Sequence, residues 1–234
     1  MSKSIIIFGK GPSLLRCNRE FVDQYDDIAI CGFPPLINDF AKLVNNPTRE
    51  IKYHFGNAGD PHLIKKNNKV MALYNDKVNE IFNISEFYDI GAGTNNYKKY
   101  LQNKNIFKGN IKEKYFAEFK SKYDFDKWGP SGGVYAIHHI LKLKKYDKIA
   151  LVGFDNFEQG KQRYYFDLKY INPSLHYIIG RDITLDNKTI IKTLHSSEKT
   201  TDYFKYIFTE FPNIDFTMYS NINFNEKYNN VTIF

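Results

Sequence analysis

Ser4-Ile5-Ile6-Ile7-Phe8-Gly9-Lys10-Gly11-Pro12-Ser13-Leu14 is the stretch on which the fold turns. A short, unbroken, β-branched apolar run predicts a strand buried on both faces, as in the middle of a parallel sheet. The Gly-x-Gly behind it lets the backbone turn sharply and lets amide N–H groups approach an anion with no Cβ in the way. The dinucleotide fingerprint has a third glycine where Leu14 stands. On these residues alone, a nucleotide loop and a plain strand-to-loop turn are both open.

Outward from this stretch, residues 18–24 read as a short helix and residues 27–31 as a second strand ending at Gly32. Residues 51–55 read as a third strand, followed by Gly56-Asn57-Ala58-Gly59. Residues 70–74 and 86–90 are further strand candidates, with residues 75–82 helical between them. Residues 96–123 are polar, Lys-rich and aromatic, and are expected to form one or two surface helices. Asp124-Phe125-Asp126 has the D-x-D form of a metal-holding pair. It follows a Lys-rich helix and not a buried strand, so it reads as a helix-ending loop and no metal is expected.

The second informative stretch is Trp128-Gly129-Pro130-Ser131-Gly132-Gly133-Val134-Tyr135-Ala136-Ile137. Ser131 suits an N-cap, and Val134, Ile137, His138 and Leu141 share one face of a helix reaching Leu143. The start of such a helix presents unbonded N–H groups and partial positive charge to a carboxylate or phosphate. Glycines placed there for close packing are the alternative. His138 and His139, being adjacent, are assigned to helix packing and surface. Residues 148–153 read as a strand with Phe154 and Asp155 at its carboxyl end. Residues 156–200 are irregular and aromatic, with a hairpin at 183–194, and read as a lid. Thr200 or Thr201 is expected to cap a last helix over 202–211, with a final strand over 214–218. The alternation predicts an α/β protein: a single Rossmann-like nucleotide-binding domain over residues 1–234, with a mainly parallel sheet and a lid excursion.

Composition bounds the rest. The chain has 234 residues, 42% of them hydrophobic, with 18 Tyr and 20 Phe, which excludes a disordered protein. The net charge of +7 comes from lysines spread along the whole length, so most of it belongs to a solvated exterior. No helix-turn-helix, zinc or aromatic RNA-binding motif accompanies it, and no nucleic-acid partner is expected. Cys17 and Cys31 are too few for a disulfide framework, which points to a reducing compartment. With no signal-peptide pattern and no long apolar run, a cytoplasmic protein is expected. The sequons at Asn83 and Asn230 read as chance occurrences. The basic surface and the bulky residues 228–234 allow a peripheral membrane contact, with a packed tail as the simpler account, and a homo-oligomer is equally allowed.

Three features occur in order: Gly9-Lys10-Gly11-Pro12-Ser13-Leu14 after a strand, the Ser131-Gly132-Gly133-Val134-Tyr135 helix start, and Gly153-Phe154-Asp155 followed by Tyr164-Tyr165-Phe166-Asp167. With Tyr177 and His195-Ser196, this order resembles the small bacterial sialyltransferases that cap surface lipooligosaccharides. The resemblance implies a metal-independent, inverting glycosyltransferase with no cofactor. It would move a sugar from a CMP-activated donor to a hydroxyl of an oligosaccharide or glycolipid acceptor. It places Gly11 and Ser13 in the nucleotide loop, Asn57 near the donor, Ser131 and Gly132 on the donor at the helix start, and Tyr164 and Tyr177 on the departing phosphate. The chain departs from that family at Lys10 and Gly32, where an Asn is usual, at Phe157 in place of a Tyr, at Trp128 in place of an Arg, and at Arg181, where a His would end the Tyr177-Ile178-Ile179-Gly180 run.

Sugar transfer of this kind needs fixed donors around the phosphate and a base beside the acceptor. The candidate catalytic residues are therefore His195 as base, with His176 the alternative, and Tyr164 and Tyr177 as phosphate donors. The candidate substrate-binding residues are Gly9, Lys10, Gly11, Pro12, Ser13, Gly32, Asn57, Ser131, Gly132, Gly133, Asp155, Phe157 and Arg163. Lys10 and Arg163 are candidates to replace, as charges, the hydroxyl that Phe157 lacks. The same surface would also suit a different nucleotide sugar, or a nucleotide- or glycan-binding module without turnover.

Overall fold

The structure, a computed structural model, describes residues 3–32, 37–44, 49–56, 82–90, 105–126, 129–155 and 196–234. Strand β1 (Ser4–Phe8) is buried along its whole length. It lies between β2 (Asp27–Cys31) and β6 (Lys148–Val152), both parallel to it, with Ile7 opposite Ala29 on one side and Leu151 on the other. The remaining strands are β3 (Ile51–Gly56), β4 (Ile84–Asp89), β5 (Phe107–Asn110), β7 (Asp215–Tyr219) and β8 (Val231–Ile233). All eight form one parallel sheet in the order β5-β4-β3-β2-β1-β6-β7-β8. The chain winds outward from β1 to β5, then resumes on the other side of β1 with β6. This is a Rossmann-like α/β fold, and its strand order reverses between β1 and β6, where such sheets open a crevice at their carboxyl ends.

Alternation of side chains explains the unbroken apolar run. Ile5 and Ile7 join Ala29, Tyr53, Phe55, Leu151 and Met218 on one face, beneath helices α3 (Ile111–Lys122), α4 (Gly132–Leu143) and α5 (Ser197–Glu210). Ile6 and Phe8 join Ile28, Ile30, Ala150 and Val152 on the other. That face is covered by Leu14 of a 3₁₀ helix (Pro12–Arg16), Val22 of α1 (Arg19–Val22) and Phe40 of α2 (Ile37–Leu43). With both faces covered, every position in β1 must be small enough to pack and free of charge.

Helix α4 is buried from Val134 through Leu141 without a break, because it is bonded to α3 and α5 as well as packed on the sheet. Its two histidines are both interior, which corrects the expected surface position. The His138 Nε2–H donates to Glu118 Oε2 at 3.3 Å, and its Nδ1 accepts from the Tyr203 hydroxyl at 2.9 Å. Tyr115 and His139 Nδ1 are 2.9 Å apart. Two polar rings inside an apolar helix thus bind the three helices to one another by hydrogen bonds that burial alone would leave unmade.

Several expected boundaries move. The stretch read as a helix over 18–24 is a shorter α1 capped by the Asn18 side chain, preceded by the 3₁₀ helix that Pro12 starts. The described part of 96–123 contains edge strand β5 before α3, and α3 buries Ile111, Tyr115 and Phe119 and is no mere surface helix. The last helix starts at Ser197 with Ser196 as its cap, so residues 196–200 belong to the fold and not to the expected lid. The expected strand at 70–74 and the hairpin at 183–194 lie outside the described residues, as does the helix expected over 75–82 except for Phe82, which is not helical. The C-terminal residues read as a packed tail or membrane contact form β8, in register with β7.

Asn230 explains why β8 docks. Its Nδ2 lies 3.1–3.2 Å from the carbonyl oxygens of Phe208, Phe211 and Ile214, where α5 ends and β7 begins. Unfilled carbonyls at a helix end need such a donor. Asn230→Ala is expected to lower stability by about 1–3 kcal/mol, read as a shift in urea midpoint with an unchanged slope; an unaltered midpoint would remove Asn230 from this role.

Candidate functional site

The candidate site is the carboxyl edge of the sheet, where the loops after β1, β2 and β6 and the start of α4 meet. Four amides of the β1 loop are bonded within the chain. The Gly9 N–H donates to the Val152 carbonyl and the Gly11 N–H to the Gly153 carbonyl, both at 2.7 Å. The Ser13 N–H donates to Asp155 Oδ2 at 2.8 Å, and the Leu14 N–H to the Gly11 carbonyl at 3.1 Å. Pro12 has no N–H. The Ser13 hydroxyl is committed as well, donating to the Tyr219 carbonyl at 2.7 Å. The N–H groups of Gly9, Gly11, Ser13 and Leu14 are thus taken by the chain's own acceptors.

Gly11 is required for this arrangement. A Cβ there would run into Asp155 Oδ2 and the Gly153 carbonyl, so the close approach that glycine permits is made to the β6 loop. The other Asp155 oxygen accepts the Asn221 N–H at 2.6 Å, which ties in the loop after β7. Ser220 adds a hydroxyl bond to the Phe154 carbonyl at 3.0 Å. One carboxylate and two serines therefore hold the ends of β1, β6 and β7 together.

The start of α4 is different. Ser131 is its N-cap in extended conformation, and the Ser131 side chain makes no capping bond. The N–H groups of Gly132 and Gly133, in the first helical turn, have no acceptor inside the helix and carry the positive end of its dipole. The glycines also serve packing: a Cβ at Gly132 would strike Ile90, and one at Gly133 would lie 2.7 Å from Phe154 Cε1. The packing reading offered by the sequence holds at this turn. The Phe154 contact places the helix start directly beside the Asp155 loop.

On the other flank of β1, Lys10 lies over Gly32: a Cβ at Gly32 would come within 3.1 Å of Lys10 Nζ. A small pocket of about 10 Å³ opens here, lined by Phe8, Gly9, Lys10, Leu14, Ile30, Cys31, Gly32 and Phe40. That is on the order of one water's space. Burial pushes the Cys31 thiol up to about 12, with the Lys10 charge opposing, so Cys31 is a packed thiol and not a nucleophile.

Gly9, Lys10, Gly11, Pro12, Ser13, Gly32, Ser131, Gly132, Gly133 and Asp155 are thus gathered at one edge of one sheet. Asn57, Phe157, Arg163, Tyr164, Tyr177, His195 and His176 lie outside the described residues. Two buried polar residues at the same edge escaped the sequence reading. His54 is fully buried, with Nε2 3.2 Å from the Gly32 carbonyl and its ring edge-on to Phe87 at 4.9 Å. Asp89 is 1% exposed at the end of β4, with Asn110 Nδ2 3.4 Å away on β5. The signal for His54 was a polar residue inside a strand that is otherwise largely buried.

No protein-family model matches the chain, and comparison with curated proteins finds no significant match.

Burial drives the imidazoles of His54 and His139 down from 6.5 to about 4. Both are neutral in the folded protein at neutral pH and take up protons more readily once unfolded. Their contribution is complete above about pH 6.5 and is lost as pH falls toward 4, with each worth about 3 kcal/mol over that window. Urea midpoints measured from pH 4.5 to 7.5 are expected to fall on acidification. His54→Gln, which keeps an N–H for Gly32, is expected to flatten part of that slope; an identical slope in the variant would assign the acid sensitivity elsewhere.

Proposed function

We propose that the protein is a sialyltransferase-like glycosyltransferase acting on a CMP-activated sugar donor and a glycan hydroxyl. The observation that carries this reading is convergence. The Ser131–Gly133 helix start lies at the carboxyl edge of a Rossmann-like sheet, beside the point where strand order reverses, next to the Gly9–Ser13 loop and Asp155, whose mutual bonds shape that edge. These are among the segments on which the resemblance to the sialyltransferases rests.

In the proposed reaction His195 removes the proton from the acceptor hydroxyl, whose oxygen attacks the anomeric carbon of the donor sugar. The bond from that carbon to the phosphate oxygen breaks, and CMP leaves with the electron pair. A single displacement inverts the anomeric centre. Charge builds on the departing phosphate, where the Tyr164 and Tyr177 hydroxyls donate hydrogen bonds. The first-turn amides of α4 add a fixed, positively polarised surface for donor oxygens. The departures at Lys10, Gly32, Phe157 and Trp128 all concern the donor side, and they favour a second reading in which another nucleotide sugar replaces the CMP-linked one.

A thermal-shift titration against CMP, UMP, GMP and AMP separates these readings. At a hundredfold excess over its dissociation constant, CMP is expected to raise the melting temperature by roughly 5–10 °C, and the other nucleotides by less. A larger shift with UMP, GMP or AMP would change the donor, and no shift with any would sink nucleotide binding. Release of the nucleotide on adding a glycan acceptor then distinguishes an enzyme from a binding module. His195→Gln is expected to abolish that release while leaving the CMP shift intact; a normal transfer rate would take His195 out of the mechanism.

A further inference from the structure

In a Rossmann-like sheet, the turn after the first strand is the usual seat of a ligand's phosphate, because its glycines expose amide N–H groups to the incoming oxygens. Here those positions are served from within. Asp155 Oδ2 accepts the Ser13 N–H at 2.8 Å, and Oδ1 accepts the Asn221 N–H at 2.6 Å. The Oδ2 atom occupies the space that a Gly11 Cβ would claim, and the Gly11 N–H itself is spent on Gly153. The carboxylate is thus an oxyanion held by two backbone donors from two different loops, in contact with the glycine of the turn.

We propose that Asp155 is a built-in anion: its carboxylate holds the phosphate position of the β1 loop, clamps that loop to β6 and β7, and closes it to any phosphate from solution. Asp155 is on this view a positioning residue that decides where a ligand's phosphate cannot go. The inference does not require the activity proposed above. Gly11 serves the same clamp, so a glycine motif that looks made for a nucleotide is satisfied by the chain itself.

The test is whether an external anion can replace the carboxylate. Asp155→Ala in the full chain removes a charged acceptor from two N–H groups and is expected to lower the melting temperature by roughly 5–10 °C. Acetate, formate or inorganic phosphate should then restore part of that loss in a saturable manner, beyond a sodium chloride control of equal ionic strength. The wild type should show no such saturable response to the same anions. A variant as stable as the wild type, a variant whose loss no anion relieves, or a wild type that responds to phosphate as the variant does would each overturn the proposal. Should the alanine variant not fold, Asp155→Asn carries the test, because it keeps the shape and removes the charge. Its Ser13 and Asn221 amide protons are expected to exchange with solvent about tenfold faster; unchanged exchange at both would refute the clamp. Since these readouts need no sugar donor, they succeed or fail independently of transferase activity.

Discussion

The rest of the structure depends on β1 being paired on both edges and covered on both faces at once. A strand in that position exposes no backbone group and no side chain to water, so its N–H and C=O groups are satisfied by β2 and β6 and its side chains from Ile5 to Phe8 are apolar by necessity. Parallel pairing then sends every neighbouring strand to the same edge. The loops after β1, β6 and β7 have no freedom to disperse; they emerge a strand spacing apart and must find partners in each other. Asp155, Ser13 and Ser220 are the side chains that meet that requirement.

The helical layer above this sheet solves a different problem. Helix α4 is too apolar to face water anywhere from Val134 to Leu141, yet it carries two imidazoles in that run. They are accommodated because α3 and α5 present Tyr115, Glu118 and Tyr203 at hydrogen-bonding distance. Phe119 and Tyr123 pack against the His138 ring, tilted and edge-on respectively. The amino end of this helix stands at the candidate site, so its placement there is inherited from packing in the interior.

Much of the architecture was legible in local pattern. Residues 27–31, 51–55 and 148–153 are short runs rich in β-branched and aromatic residues next to a glycine, and each became a strand with at most one residue of difference. The illegible elements share a physical cause. Phe107-Lys108-Gly109-Asn110 has little strand propensity and pairs only along β4; Val231-Thr232-Ile233 pairs only along β7. Edge strands of this kind are held by one neighbour and by anchors such as Asn230, so a weakly β-prone run or a three-residue one suffices. At the candidate site, the glycines were visible and their employment was not. The same Gly-x-Gly fits an empty phosphate loop and a loop filled by a carboxylate 142 residues away.

By itself the sequence determined the α/β class, the central buried strand, the helix that starts at Ser131 and the candidate residues at the ends of strands. These follow from periodicity, turn chemistry and burial requirements that act over a few residues. Only the tertiary structure decided that the β1 amides are taken by Val152, Gly153 and Asp155, that His138 and His139 face inward, and that the last strand closes the sheet. Hydrogen-bond partners are chosen among all groups the fold brings within about 3 Å, and no local pattern encodes which of them arrives first.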